Sequence, residues 1–256
     1  MITVLPLRFL PGNKWVHIRE LCGKDEQSIA GTRSIDAICL LDQLIQDFPQ
    51  TNQSITHSAF LPVADRGRLM MAVYFNTYGL RIENTVTCPS CSSRFDLSFT
   101  MDEWVDDLTK VKPESLKRGE GDYPFKAPGG VKFRLPTGED EIAVMGMEPK
   151  AAEAELLRRC LQDGTRKYDP ELLQKTMHEI APLADAEFEA RCPECSRMQW
   201  LHFDLQQYLL SSLLNERNKL VNEIHLLSKA YGWGLTEILE LPRSTRRSFI
   251  AFAVTS

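Results

Sequence analysis

Apolar residues behind Ser34 recur at helical spacing, at Ile35, Ile38, Leu41, Leu44, Ile45 and Phe48, and Pro49 must end the run. The spacing predicts a helix capped by Ser34. Before it, Met1 to Phe9 reads as extended and closes on Pro11-Gly12, with a mostly helical region beyond. Asp65 to Tyr78 predicts a second amphipathic helix, with Leu69, Val73 and Thr77 on one stripe and Gly79 just past its end. Arg81 to Thr87 and Arg94 to Phe99 alternate as strands do. Thr100 with Glu103 then forms a capping box for a short helix through Trp104, and Lys112 to Gly121 is polar and turn-rich, hence loop. Tyr123 to Lys126 and Val131 to Leu135 flank Ala127-Pro128-Gly129-Gly130, which predicts a hairpin. Helices are expected to open at Thr137, Pro149 and Pro170, before a strand from Ala186 to Arg191. Finally, Leu209, Leu213, Leu220, Ile224 and Leu227 mark one face of a single helix from Leu205 to Tyr231, opened by Asp204 with Gln207 and closed by Gly232. Such a helix would be about 40 Å long, a spine or an exposed arm. Two short helical pieces, punctuated by Gly234-Leu235-Thr236 and Pro242, end near Phe252.

The strongest chemical signal interrupts this pattern twice. Cys88-Pro-Ser-Cys91 and Cys192-Pro-Glu-Cys195 each follow one strand and precede another: Thr85-Val86-Thr87 and Glu187-Phe188-Glu189 before, Phe95-Asp96-Leu97 and Trp200-Leu201-His202-Phe203 after. Two such units facing each other bring four sulfurs to the corners of a tetrahedron, the arrangement of structural zinc. Thiolate is a soft donor and the d10 ion has no geometric preference of its own, so Zn2+ bound by Cys88, Cys91, Cys192 and Cys195 is the expected cofactor. Four thiolates leave no open coordination position, which predicts a structural site without catalysis. A redox pair is the rival reading, but neither motif sits in a thioredoxin-like pattern. The expected fold is therefore α+β and mainly helical: a zinc ribbon of two Cys-Pro-x-Cys hairpins, interrupted by a long α/β insertion and followed by a long C-terminal helix. The corresponding divisions are a helical region over 1–80, a split ribbon over 81–99 and 186–204, an inserted subdomain over 100–185, and a helical region over 205–256.

Composition narrows the function classes. The 256 residues carry a net charge of -5 and are 43% hydrophobic, enough for a real core and too acidic for a general nucleic-acid binder. The segment between the cysteine pairs holds 15 basic and 21 acidic residues, so the acidity resides in the insertion. No run approaches the roughly 20 apolar residues of a membrane helix, and the start lacks a leader pattern, which predicts a soluble, unprocessed, cytoplasmic protein. Cys22, Cys39 and Cys160 stand singly in apolar surroundings and are expected to be buried. His17, His57, His178, His202 and His225 are scattered, serine elbows and phosphate-binding glycine loops are missing, and no enzyme is expected.

Other segments carry a resemblance. These are the run from His17 to Glu26, Ala64-Asp65-Arg66 to Leu69, and Arg81 to Val86 leading into the first cysteine pair. Phe133 to Asp140, the second pair running to Phe203-Asp204, and Glu223-Ile224-His225 through Tyr231-Gly232-Trp233 to Leu241-Pro242 complete the set. In this order they resemble the baseplate hub and hub-assembly (chaperone) proteins of T-even-like contractile phage tails and related contractile injection systems, over nearly the whole chain. The resemblance implies a non-enzymatic factor present in the host cytoplasm during assembly, with baseplate or hub proteins as partners and neither a membrane nor a small-molecule substrate. Retention in the particle and release as a chaperone both stay open. Trp233, Arg243, Arg246, Arg247 and Phe249 are of the types enriched at interface anchors and are the expected partner-binding residues, whereas Ile238 and Leu241 could equally fold onto the chain's own core. The alternative is a zinc-ribbon nucleic-acid module whose three arginines contact phosphate, which the acidic total disfavours.

Overall fold

The computed structural model describes residues 2–10, 14–46, 55, 57–101, 121–162, 164 and 167–255. A three-stranded antiparallel sheet begins the chain, with Trp15–Arg19 between Ile2–Pro6 and Ile45–Gln46. The central strand was not expected. Its only core-facing residues are Val16 and Ile18, too short an alternation to separate from the helical signal around it. Nor does the next helix, Ser34–Leu44, run to Pro49: Ile45 leaves it to pair with Ile18, and Arg33 rather than Ser34 is the capping residue. Phe48 lies outside the described residues, as do the short helix expected through Trp104 and most of the loop expected before Gly121.

The Ser34–Leu44 and Val63–Tyr78 helices bury Leu40, Leu41, Leu44, Leu69, Met70 and Val73 under this sheet. The same core takes Ile82 and Phe203 from two hairpins, and Leu205, Leu209 and Leu213 from the helix after them. A second core lies among residues 125–181, where the Phe125–Lys126/Lys132–Phe133 hairpin and the Pro149–Cys160 and Pro170–Ile180 helices enclose Phe133, Leu157, Cys160 and Leu173. Phe9 and Ala64 join it from the first region. Both long helices of this segment open with proline at the first turn behind an acidic cap, Glu148 and Asp169. Of the lone cysteines, Cys22 and Cys160 are buried, and burial pushes the Cys160 thiol up to about 12, whereas Cys39 is exposed on the outer side of its helix.

The expected long helix is broken. Leu205–Asn215 and Arg217–Tyr231 are separate helices, with Glu216 between them at φ -85°, ψ 1°. Leu209, Leu213, Leu220 and Leu227 are all buried, so the apolar face was read correctly and the axis was not. No glycine or proline marks the break. The Glu216 carboxylate is instead drawn out to Tyr78 Oη, which donates at 3.0 Å, and to Arg243 and Lys219. After Gly232, the helices Leu235–Glu240 and Arg243–Thr255 fold back on Arg217–Tyr231. Among the described residues no helix is long and apolar enough to cross a membrane.

Candidate metal centre

Each cysteine pair occupies the turn of an antiparallel hairpin. Arg81–Thr87 pairs with Arg94–Thr100, ending at Thr87 opposite Arg94, and Asp185–Arg191 pairs with Met198–Asp204, ending at Arg191 opposite Met198. The two turns are built alike. Cys88 donates its N–H to Ser93 O at 2.8 Å and accepts from Ser92 N at 2.9 Å; Cys192 donates to Arg197 O at 3.0 Å and accepts from Ser196 N at 2.9 Å. Ser92 and Ser196, each just after the second cysteine, are the only described non-glycine residues in the left-handed region, at φ 60° and 58°. The left-handed residue swings the chain back, so that both sulfurs of a turn face one side. Away from the turns the hairpins are held together by Phe99 and Phe203, edge to face with centroids 5.2 Å apart.

All four sulfurs lie within 4.8 Å of one another. Two pairs meet across the hairpins, Cys88 with Cys195 and Cys91 with Cys192, each at 3.7 Å. A disulfide would need about 2.0 Å. A tetrahedron with metal–sulfur bonds of about 2.3 Å has edges of about 3.8 Å, so the spacing suits a four-coordinate ion at the centre. Cys88 and Cys192 are buried, while Cys91 is exposed. The Cys195 N–H and the Ser93 hydroxyl point at the Cys192 sulfur and pull its thiol down to about 6, whereas at Cys195 the Arg197 N–H is outweighed by burial and the neighbouring sulfurs, which push that thiol up to about 11. Ser93 Oγ also lies 2.9 Å from the Cys91 sulfur, and Arg197 reaches across to Ser90 Oγ at 3.4 Å. These groups form an outer layer around the donors. Soft four-sulfur donor sets suit zinc. Among the described residues no other group of three or more His, Cys, Asp or Glu gathers tightly enough to hold an ion.

A family model described as T4 bacteriophage base plate protein matches residues 5–181. The chain belongs to that family. Neither the curated proteins nor the solved structures compared with it give a match. The stretch shared with the family takes in the first cysteine pair and the second core and stops short of the second pair.

The partner-binding residues expected in this baseplate-family chain divide. Arg243 and Arg246 are turned inward, 3% and 0% exposed, and are corrected from surface anchors to buried structural cations. Glu26 takes both, Arg243 Nη1 at 2.9 Å and Arg246 Nη2 at 2.6 Å; Glu216 also pairs with Arg243, and Glu223 with Arg246 at 2.7 Å. A charge this deep needs fixed partners, which is why three carboxylates converge there. Arg247 is exposed at the rim of the cluster. Trp233 is half-buried, stacked on Tyr231 at 4.8 Å and edge-on to Phe249 at 4.9 Å. Ile238 is fully buried and Leu241 half-buried.

Sequence reading passed over the fact that two of its motifs are copies of one another. Arg19-Glu20-Leu21-Cys22-Gly23-Lys24-Asp25-Glu26 and Arg134-Leu135-Pro136-Thr137-Gly138-Glu139-Asp140-Glu141 share Arg, Gly, Asp and Glu at matching positions. The structures match as well. Asp25 takes Arg19 at 2.6 and 2.8 Å and the Cys22 N–H at 2.8 Å; Asp140 takes Arg134 at 2.5 and 2.9 Å and the Thr137 N–H at 2.9 Å. Each motif grips a helix that starts after Leu-Pro. Val63 N donates to Pro136 O at 2.9 Å, and Arg243 N to Leu21 O at 2.8 Å. Pro62 bridges Thr137 as Pro242 bridges Cys22. The fourth residue past each proline reaches the glutamate of the motif, Arg66 to Glu141 at 2.5 Å and Arg246 to Glu26 at 2.6 Å. The glycine is needed for close approach: a Cβ on Gly138 would stand 3.1 Å from Ala59 Cα, and one on Gly23 3.2 Å from Leu239 Cα. Comparing the chain with itself at the offset from Arg19 to Arg134 would have exposed this clasp.

The clasps set an acid limit. Burial alone would raise Glu216, but Arg243, Tyr78 and Lys219 outweigh it and hold the carboxyl down to about 2; Arg134, the Thr137 N–H and Arg159 likewise outweigh burial and hold Asp140 well below the carboxylate range. A depressed carboxyl stabilises the fold above its unfolded value and loses that contribution as pH falls through its folded value. Asp65 works in the opposite sense, since burial raises it despite the N–H groups of Arg8 and Phe9. With two strongly depressed groups against it, the melting temperature is expected to fall between about pH 4.5 and 2, as thermal melts followed by circular dichroism across that range would show.

Proposed function

We propose that the chain is a non-enzymatic structural or assembly factor of the baseplate hub of a contractile phage tail or related contractile injection system, stapled by one structural zinc ion. The observation that carries this reading is the family match over residues 5–181. The two cysteine hairpins are read as halves of one zinc ribbon, with Cys88, Cys91, Cys192 and Cys195 as ligands, because their sulfurs present a closed tetrahedral donor set. The hub and the chaperone role rest on the order of motifs from His17 to Pro242. The same chemistry argues against turnover, since a coordinatively closed metal offers no site for water or substrate. Trp233, Arg247 and Phe249 remain the proposed partner-facing residues, and the host cytoplasm is the proposed place of assembly.

The test is composition. A tagged copy purified from cells making particles is expected to bring baseplate components with it, and metal analysis of the pure chain to find one zinc per chain. Its presence in mature particles would assign a resident part, and its presence only in assembling lysates a chaperone. Recovery with no baseplate component from either source would refute the reading.

A further inference from the structure

The two cysteine hairpins are alike in turn and register, so their outer faces can be compared position by position. Each turns one face inward: Phe99 meets Phe203, Ile82 and Ala190 are buried, and the alternate residues point away. On the Arg81–Thr87/Arg94–Thr100 hairpin the outward row is polar, with Arg81, Glu83 and Thr85 on one strand and Asp96, Ser98 and Thr100 on the other, all exposed. It also satisfies itself. Arg81 pairs with Glu83 at 2.9 Å, and the Thr85 hydroxyl donates to Asp96 at 2.8 Å. An antiparallel pair with one face in water is expected to look like this.

The same row on the Asp185–Arg191/Met198–Asp204 hairpin does not. Trp200 is 69% exposed, the most open of the described tryptophans, and Met198, two positions before it on the same strand, is 50% exposed. Glu189 lies opposite Trp200 in the register, and Glu187 follows opposite His202. The Cys192 N–H bonds to Arg197 O and the Leu205 N–H to Ala184 O, so by alternation Glu189 and Trp200 are a non-hydrogen-bonded pair. Side chains in such pairs stand closest, with Cβ atoms about 4.5–5.5 Å apart. Both carboxylates are exposed, and among the described residues neither has a hydrogen bond or an ion pair. Arg191, the one arginine or lysine of this row, sits at the turn end opposite Met198 and pairs with neither.

An indole face beside two unpaired carboxylates draws a cation twice over, through the ring quadrupole and through charge. A guanidinium answers both demands, because it is planar, weakly hydrated and forked, whereas an ammonium is a compact and strongly hydrated point charge. We propose that this face docks a protein partner through an exposed arginine, its guanidinium lying on the Trp200 ring and bonding to Glu189 and Glu187 while Met198 covers its apolar stem. The surface is separate from the C-terminal residues named above as partner-facing, and the proposal stands whether or not the partner is a baseplate component.

The probes are two short blocked peptides, one of alternating glycine and arginine and one of alternating glycine and lysine, titrated into the nitrogen-15 labelled full chain. The indole N–H signal of Trp200, identified by its loss in Trp200→Phe, reports the site. The arginine peptide is expected to shift this signal saturably, more tightly than the lysine peptide and less so as salt is raised. Trp200→Ser and the double variant Glu187→Gln/Glu189→Gln are each expected to weaken binding about two- to fivefold, the size of an exposed cation–π or ion-pair contact. Glu83→Gln, the same change on the matching face of the first hairpin, should leave it unaltered. The glutamate variant keeps the ring, so it reads the site even if Trp200→Ser fails to fold. No saturable shift, equal affinity for the two peptides, or equal losses from Glu83→Gln and the double variant overturn the proposal. A loss from Trp200→Ser without one from the glutamate changes would mean an apolar partner, and a Trp200 shift that grows with protein concentration alone would mean a second copy; either result also overturns it.

Discussion

Replacing Cys91 or Cys192 with serine is expected to empty the metal centre and unfold much of the chain around it. The four sulfurs come from turns a hundred residues apart, so no single hairpin holds the ion alone. A serine hydroxyl does not ionise near neutral pH and is a hard donor, so the remaining three thiolates lose most of their affinity for a soft-binding site. Structural zinc contributes on the order of 10 kcal/mol of coupled binding and folding energy, and marginal domains hold about 5–15 kcal/mol in total. Loss of several kcal/mol is therefore enough to collapse the paired hairpins. Metal analysis and urea melts of the two variants provide the measurement. Retention of a full equivalent of zinc by both, with unchanged midpoints, would show that the cysteines are not the ligands.

The second large effect is expected at Glu26. This side chain is 5% exposed and pairs with two guanidinium groups that are themselves 4% and 0% exposed. Glu26→Gln preserves shape and removes charge, leaving Arg243 with Glu216 as its one remaining carboxylate and Arg246 with Glu223. Breaking a buried pair from one side costs about 3–5 kcal/mol, because the partner stays desolvated. The neighbouring Lys24 is exposed on the same short helix, so Lys24→Ala is the control and should move stability by less than about 0.5 kcal/mol. Denaturant midpoints of both variants decide the matter, and equal small shifts would mean that the arginines find other partners.

The contrast between these two sites explains what could be read from the sequence. The four-cysteine cluster was legible because each half of it is a local object: two cysteines, a proline and flanking strands within a short stretch. The family resemblance was legible for the same reason, as a series of short motifs in order. Arg246 was not. Its composition marks it as an anchor, but its partner Glu26 lies 220 positions away, and nothing near either residue announces the other. The strand Trp15–Arg19 was missed because its identity as a strand depends on Ile2–Pro6 beside it, and the end of the Ser34–Leu44 helix because Ile45 is claimed by Ile18. The kink at Glu216 follows from side chains distant in sequence, with no breaker residue to show it. In each case the decisive energy is tertiary, and a local pattern carries only the weaker, intrinsic preference.

The spacing of the two cysteine turns also sets a clock. During synthesis the first pair leaves the ribosome while the second has yet to be made, and Cys91 and Cys192 are separated by about a hundred residues. At about 5–20 residues per second, the chain carries a two-sulfur half-site for about 5–20 seconds before the other half exists. In that interval any ion held by Cys88 and Cys91 is shared with water or small thiols, and the intervening segment, with its own apolar core, has time to fold first. An ion bound by all four sulfurs would thus be the last part to be fixed, and its capture would fasten the flanking regions around a segment already formed.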